Sequence, residues 1–203
     1  FLTGIMDGVF KNTAVISSGH IKITTHGYNV DRQLLPNDMA MIDIDEHLDE
    51  LHSQFKDYFW TPRITFTGLL DVPDDFGETK EQGFAIGYAI DLFSENSRQI
   101  EIWELDRKLL SGHLPEKYNE VIMNENLARS LHLSLGEIVT FIGSTMDGAF
   151  TTFNYTLVGT FSLNIGGTDK NMMILDISGA QAALDMNNAC SEILGFTHSL
   201  YYD

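Results

Sequence analysis

Residues 120–161 read EVIMNENLARSLHLSLGEIVTFIGSTMDGAFTTFNYTLVGTF, and the fold class follows from this stretch. Val121 to Met123 form an apolar strand. Asn124 then stands where an N-cap side chain accepts a first-turn amide. Leu127, Ala128 and Leu131 recur at helical spacing and make one apolar stripe, and Gly136 closes the connection that follows. A β-hairpin comes next. Its second arm places Phe153, Tyr155, Leu157, Gly159 and Phe161 on one face and Asn154, Thr156, Val158 and Thr160 on the other, the period-two pattern of a half-buried strand. Between the arms, Gly143 to Thr152 is a short polar tip with Asp147-Gly148 as its turn signal. The chemistry is that of a scaffold, with no clustered nucleophile and base, no glycine-rich phosphate cradle and no metal-ligand spacing.

Reading outward from that unit, Leu2, Ile5, Met6 and Val9 give Phe1 to Asn12 a near-helical spacing. Gly4 and Gly8 weaken such a helix by about 1 kcal/mol each relative to alanine. Gly19 to Thr25 alternates, with Ile21 and Ile23 inward. Gly27 to Met41 is a polar loop broken by Pro36. Asp43-Ile44-Asp45-Glu46 has the form of a capping box, and Ile44, Leu48, Leu51 and Phe55 then repeat as the buried face of a helix. Thr61 to Leu70 is a strand. Gly83 to Phe93 is another, with Phe84, Ile86, Tyr88, Ile90 and Leu92 alternating against Ala85, Gly87, Ala89 and Asp91. Between them Asp71 to Gln82 is acidic and suits a long hairpin loop. Ser97 caps a helix carrying Ile100, Trp103 and Leu110, with Gly112 at its end. After the opening unit come a strand at Met172 to Ile177, a capping box at Ser178 to Gln181 opening a helix with Ala183 and Leu184, and a strand from Ser191 to Tyr202.

Composition limits the function classes. The 203 residues, 43% of them hydrophobic and 11% aromatic, are ample for a packed core. A net charge of -17 with only twelve Lys and Arg argues against a nucleic-acid surface, which needs clustered cations. The same charge is repelled by anionic lipid headgroups. The single cysteine, Cys190, forms no internal disulfide and does not separate cytoplasm from periplasm. No window holds eighteen consecutive apolar residues, and the chain opens Phe-Leu-Thr-Gly-Ile, which reads as an excerpt from a longer protein.

The residues with chemistry to offer have plain structural readings. His47 with Asp43, Glu46 and Glu50 comes nearest to a metal cluster, yet no His-x-x-x-His pair is present and those carboxylates already serve as cap and solvated face. Asp74/Asp75 and Asp43/Asp45 are chance pairs among 29 acidic residues. Cys190 reads as a buried inert thiol. Ser17-Ser18 lacks a nucleophile elbow, Trp60 and Trp103 are packing residues, and Asn154-Tyr155-Thr156 is a formal sequon inside a strand.

The order of strand, Asn124, Leu127-Ala128, Leu131, Leu133, Gly136-Glu137, strand, turn, then Tyr155-x-Leu157-x-Gly159-Thr160-Phe161 resembles the periplasmic core domain of MacB/LolC/LolE-type ABC transporter permeases. Further matches fall in order along the chain: Ser18 to Ile23, Pro62-Arg63-Ile64 with Gly68-Leu69, Gly83 to Asp91, Gly112, and Ser178 to Leu184. The resemblance implies an α+β fold. A porter-like βαβ subdomain, residues 1–94 and 168–203, would carry an inserted small mixed α/β, Sabre-like subdomain, residues 95–167. It implies one membrane helix before Phe1 and three after the carboxyl end, so the domain lies in the periplasm at the bacterial inner membrane. The family pattern continues with one further helix and strand beyond Asp203.

On the same resemblance the domain is non-catalytic and holds no cofactor or metal, ATP being bound by a separate cytoplasmic ATPase. It couples ATP-driven helix motion to export or release of a substrate such as lipoprotein, peptide or small molecule. Its partners are that ATPase, a second permease protomer and a periplasmic adaptor or chaperone, and none is a nucleic acid. The contact is expected at the hairpin tip Ser144, Thr145, Met146, Asp147 and Gly148. In LolC the corresponding hairpin is a longer, proline-containing hook that holds a chaperone; this tip is shorter and lacks proline, so that role does not carry over. Two rivals predict different features. A stand-alone extracellular ligand- or carbohydrate-binding module needs an exposed aromatic platform, and an acidic-pair hydrolase needs a cleft with one raised carboxyl pKa.

Overall fold

The computed structural model describes residues 18–74, 76–163 and 169–197. The helix expected at Phe1 to Asn12, Ser17, Asp75 and the end of the last expected strand lie outside these residues. In chain order the elements are β1 (Ile21–Ile23), α1 (His26–Val30), β2 (Met41–Ile42), α2 (Ile44–Gln54), β3 (Tyr58–Pro73), β4 (Thr79–Ile90), α3 (Gln99–Trp103), α4 (Leu105–Lys108) and β5 (Leu109–Gly112). They continue with β6 (Glu120–Asn124), α5 (Glu125–Ser130), β7 (Ile138–Ser144), β8 (Phe150–Phe161), β9 (Met172–Asp176), α6 (Ile177–Leu184), β10 (Ala189–Cys190) and β11 (Glu192–Thr197). The architecture is mixed, and strands dominate it.

Among the described residues nine strands share one sheet, and β2 with β10 forms a separate short ladder. Six of the nine close into a ring. β3 pairs with β4, β4 with β9 in parallel, β9 with β6, β6 with β8 in parallel, β8 with β7, and β7 again with β3. β11 and β1 extend the sheet outward from the start of β3, and β5 lies against the end of β8. Side chains fill so small a ring completely. Ile64, Phe66, Leu70, Phe141, Tyr155 and Leu175 point into it, and α5 and α6 add Leu127, Leu131, Ala183 and Leu184 to the same core. Outside the ring a second apolar layer joins Ile90, Ile122, Phe161 and Ile174 to Trp103 and Leu105 of α3 and α4.

The narrow ring explains where the strands depart from their expected faces. On β4 the small residues go inward: Ala85 and Ala89 are buried, and a Cβ at Gly87 would lie 2.3 Å from the Phe66 ring. The face of larger residues that alternates against them is the outer one: Phe84 is 52% exposed on the outer wall, and Ile90 belongs to the outer layer. On β8 the expected face holds for Tyr155 and Leu157, which lie in the ring core. A register shift then sets Val121 opposite Leu157 and Ile122 opposite Gly159, leaving Val158 as the extra residue. Such a bulge turns the following side chains over, so Phe161 joins the outer layer instead.

Several ends also differ from expectation. The acidic loop is short, because β3 runs to Pro73 and β4 starts at Thr79. The helix expected from Ser97 to Gly112 breaks at Glu104, which adopts φ 54, and Leu110 lies in β5 and is 59% exposed. Gly112 takes φ +77 beside the Val158 carbonyl, where no Cβ fits. The residues of the polar loop form α1 and two 3-10 turns. The cap of α6 is Asp176, whose carboxylate accepts the Ser178 N–H at 2.9 Å, so Ser178 is already helical and Gln181 donates to the Ala189 carbonyl.

Asp43 likewise caps nothing. It takes φ 55, and its side chain accepts no cap hydrogen bond. The first turn of α2 is capped from 143 residues away, with Asp45 N–H donating to Asn188 Oδ1 at 3.1 Å and Ile44 N–H donating to the Asn188 carbonyl at 3.2 Å. Asn188→Gly, which keeps its positive φ of 48 but loses the side-chain acceptor, is expected to cost about 1 kcal/mol. Asp43→Gly loses no such bond and stays within about 0.5 kcal/mol of the parent. Urea unfolding of the two variants checks the difference.

Candidate functional site

The hairpin tip is folded down onto the body. After Ser144 the chain turns through Thr145 to Gly148, with Thr145 N–H donating to the Ala149 carbonyl at 2.8 Å and Gly148, at φ +81, donating to the Thr145 carbonyl at 2.9 Å. Met146 packs against the ring core. Its N–H donates to the Leu184 carbonyl at 2.7 Å, and Thr151 Oγ1 donates to the Ala183 carbonyl at 3.0 Å, so the tip satisfies the last turn of α6. The five expected contact residues are thus brought together beside Leu35 to Asp38, Phe66 and Thr67. The concavity they enclose measures about 640 Å³ and has Asp38 and Asp147 among its lining residues.

Next to that concavity lies a buried charged cluster that the sequence reading missed. Arg63 and Glu192 are 2% and 3% exposed. Arg63 Nε donates to Glu192 Oε1 at 2.6 Å, its Nη2 reaches the same carboxylate, and Lys22 Nζ meets Oε2. The guanidinium also stands 5.7 Å from the centroid of the Tyr88 ring. Ser191 connects the cluster to the chain around Pro36, since Thr65 N–H donates to Ser191 Oγ and Ser191 Oγ donates to Asn37 Oδ1 at 2.7 Å. The signal was present in sequence. One arginine in the buried, alternating first half of β3 and one glutamate at the head of β11 each require an opposite charge once buried.

The remaining candidates fall apart in space or in chemistry. His47 and Glu50 line a concavity of about 430 Å³ under α2, but among the described residues no group of three or more His, Cys, Asp or Glu is placed to hold a metal. Asp74 accepts from the Phe76 and Glu78 amides and serves as a turn residue. Asn154 is on the outer wall and accepts from Thr140 Oγ1 at 2.9 Å. Trp60 and Trp103 are 4% and 1% exposed, as packing residues should be. Phe76, Phe84 and Phe150 are exposed, but no ring contact joins them into a platform among the described residues. Burial alone would push the Glu120 carboxyl up; the amides of Glu116 and Lys117 and the Lys117 ammonium outweigh it and hold the group below its usual range.

Cys190 is fully buried, and burial pushes its thiol up to about 12 from an ordinary 9.0. Burial, reinforced by the Glu192 carboxylate, likewise pushes the Tyr28 phenol up to about 12 from 10.0. A thiol held neutral this way is neither nucleophile nor metal ligand at neutral pH. Between the two pKa values of each group the folded chain keeps a proton that the unfolded chain has lost. The stability these groups contribute is therefore complete below pH 9.0 and disappears as pH rises toward about 12. The urea midpoint should fall steadily over that window and fall less steeply in Cys190→Ala. Native Cys190 should also resist a thiol reagent at pH 8.0 until the chain unfolds.

No family model matches the chain, and no curated protein matches it. Solved structures do. The periplasmic region of MacB from Actinobacillus actinomycetemcomitans superposes with a TM-score of 0.58 at 14% identity, over 90% of this chain and 75% of that one. The extracellular domain of the noncanonic ABC-type transporter YknZ from Gram-positive bacteria gives 0.53 at 11% identity, over 87% of this chain and 81% of that one. The resemblance read from the sequence therefore holds at the level of fold, through most of the chain.

Proposed function

We propose that this chain, which shares its fold with the extracytoplasmic domains of two ABC-type transporters, is itself the extracytoplasmic domain of a bacterial ABC transporter permease. Its place is the periplasmic side of the inner membrane, where it does no chemistry of its own. The observation that carries the reading is a likeness to both transporter domains over about nine-tenths of the chain. In this role a cytoplasmic ATPase binds and hydrolyses ATP, and the membrane helices move. The domain passes that motion to a substrate such as lipoprotein, peptide or small molecule as it is exported or released.

We assign residues 1–94 and 168–203 to a porter-like subdomain and 95–167 to a Sabre-like insertion. A second protomer faces the first, an adaptor or chaperone touches the distal, inserted subdomain, and the hairpin tip Ser144 to Gly148 is a partner contact without the chaperone-holding role of the longer hook. Stiffness suits the task, and in a closed ring each strand is hydrogen-bonded to a neighbour on both sides over at least part of its length, which resists sliding. No helix among the described residues is long and apolar enough to cross a membrane.

The test uses the buried thiol as a silent background. In whole bacteria making the complete protein, Ser53→Cys on the exposed side of α2 should react with a membrane-impermeant maleimide without lysis, and the labelled protein should copurify with an ATPase from the membrane fraction. Labelling only after lysis, or recovery of the whole protein in the soluble fraction, contradicts the proposal.

A further inference from the structure

The ring is joined weakly at one place. On the edge of β3 that faces away from β4, β11 pairs with Tyr58 to Arg63 and β7 with Leu69 to Asp71, and among the described residues no strand pairs with residues 64–68 between them. Both neighbours run antiparallel to β3, so β7 and β11 are collinear with a short breach between their ends. Side chains stand in for a strand at one side of it, where Thr65 N–H donates to Ser191 Oγ at 3.1 Å and Asn37 Nδ2 donates to the Thr65 carbonyl at 3.2 Å.

In an antiparallel ladder, alternate residues turn their amide and carbonyl toward the same edge. Thr67, two residues beyond Thr65, therefore turns its N–H and C=O into the breach. β7 does not follow β3 there, because their pairing ends at Ile142 and the tip bends away to bond the Leu184 carbonyl through Met146. What remains is the 640 Å³ concavity, with Phe66, Met146 and Leu184 as its apolar floor. Asp38 and Asp147, both exposed, are among its lining residues, and among the described residues no lysine or arginine lines it.

We infer that this breach binds one short extended peptide segment, which adds to the free edge of β3 at Thr67 and carries a basic residue between two apolar ones. The residue opposite Thr67 exchanges main-chain bonds with it and points its side chain outward, as Thr67 does, toward the two carboxylates. The neighbours on either side point inward, because successive side chains alternate, and they meet the apolar floor. Main-chain pairing supplies affinity in this mode, and alternate side chains supply selection. The inserted part is short: residues 64–68 span roughly 16 Å at about 3.3 Å per residue, and the Thr65 bonds and Ile142 already occupy both ends. The inference rests on the hairpin tip as a contact surface and names the chemistry held there; it does not require the transport role.

The probe is the peptide acetyl-Ser-Val-Lys-Val-Ser-amide, titrated at low salt into the nitrogen-15-labelled chain. Saturable shifts of the Thr67, Ser144 and Asp147 amides are expected. Thr67→Pro removes the N–H that faces the breach and no bond to β4, so it should weaken binding about tenfold, the effect of one hydrogen bond, with the thermal midpoint preserved. Methylating the peptide's lysine main-chain nitrogen should weaken binding similarly from the other side. Replacing that lysine by glutamate should abolish it. If Thr67→Pro fails to fold, the exposed pair Asp38→Asn and Asp147→Asn is used instead, and it should weaken binding and flatten its salt dependence. Equal binding by the methylated or glutamate peptide, or the absence of any shift at saturating peptide, overturns the slot. That failure would leave the membrane-labelling test of the transport role untouched.

Discussion

Glu192→Ala should lower the stability of the chain by about 3–5 kcal/mol, the usual result of removing one partner of a buried ion pair. The cause is what it leaves behind. Arg63 stays 2% exposed, anchored in β3 over the Tyr88 ring, and loses the carboxylate that its Nε and Nη2 both meet. For a domain of this size each kcal/mol moves the thermal midpoint by about 2–4 °C, so the loss should be plain in a melting curve. Lys22 does not compensate, since it is 35% exposed at the side chain and turns to water once Glu192 is gone. The double variant Arg63→Met, Glu192→Leu is expected to recover most of the loss, because the pair's main cost is its own desolvation. A single variant within about 1 kcal/mol of the parent would mean that the cluster is wetter than the structure has it.

Phe141→Ala is the second large effect, at about 3–5 kcal/mol for a fully buried phenylalanine. Phe141 is 0% exposed where β7 meets β3, edge-on to Phe66 at 5.2 Å and close to Tyr155 at 6.5 Å. Two glycines leave room for its ring. A Cβ at Gly68 would lie 2.2 Å from the ring and one at Gly143 would lie 2.5 Å from it. Gly143→Ala should therefore destabilise the parent but be nearly neutral in the Phe141→Ala background, where the added methyl enters the cavity. A double-mutant cycle should show a coupling of about 1 kcal/mol or more. Additive effects would show that the ring does not set the spacing of β7 on β3.

How much of this could be read from the sequence depended on the range of each interaction. The Asn124 cap and the stripe of Leu127, Ala128 and Leu131 are local, and both are found as read, with Asn124 Oδ1 accepting the Asn126 N–H at 2.9 Å. Period two served for Tyr155 and Leu157 and then failed at Val158, because a bulge is fixed by the neighbouring strand and not by the strand's own residues. Asp43 and Ser178 carried the composition of capping boxes. The αL conformation of Asp43 and the nearer carboxylate of Asp176 decided otherwise. Arg63 and Glu192 are 129 residues apart, and the closure of the ring by β7 on β3 joins segments about 70 residues apart. Only the assembled sheet reveals either one. The hairpin tip was located as a unit, but its fold-back onto α6 came from contacts with Leu184 and Ala183 that no local pattern announces.

The account depends on the ring behaving as one stiff body, and native-state hydrogen exchange measures that directly. If it does, the amides of β3, β4, β6, β8 and β9 should exchange with a single opening free energy close to that of global unfolding, even though β6 to β8 come from residues 95–167 and the other ring strands do not. If β6, β7 and β8 instead open together well below the global value while β3, β4 and β9 stay protected, the ring is two loosely joined halves and cannot act as a lever.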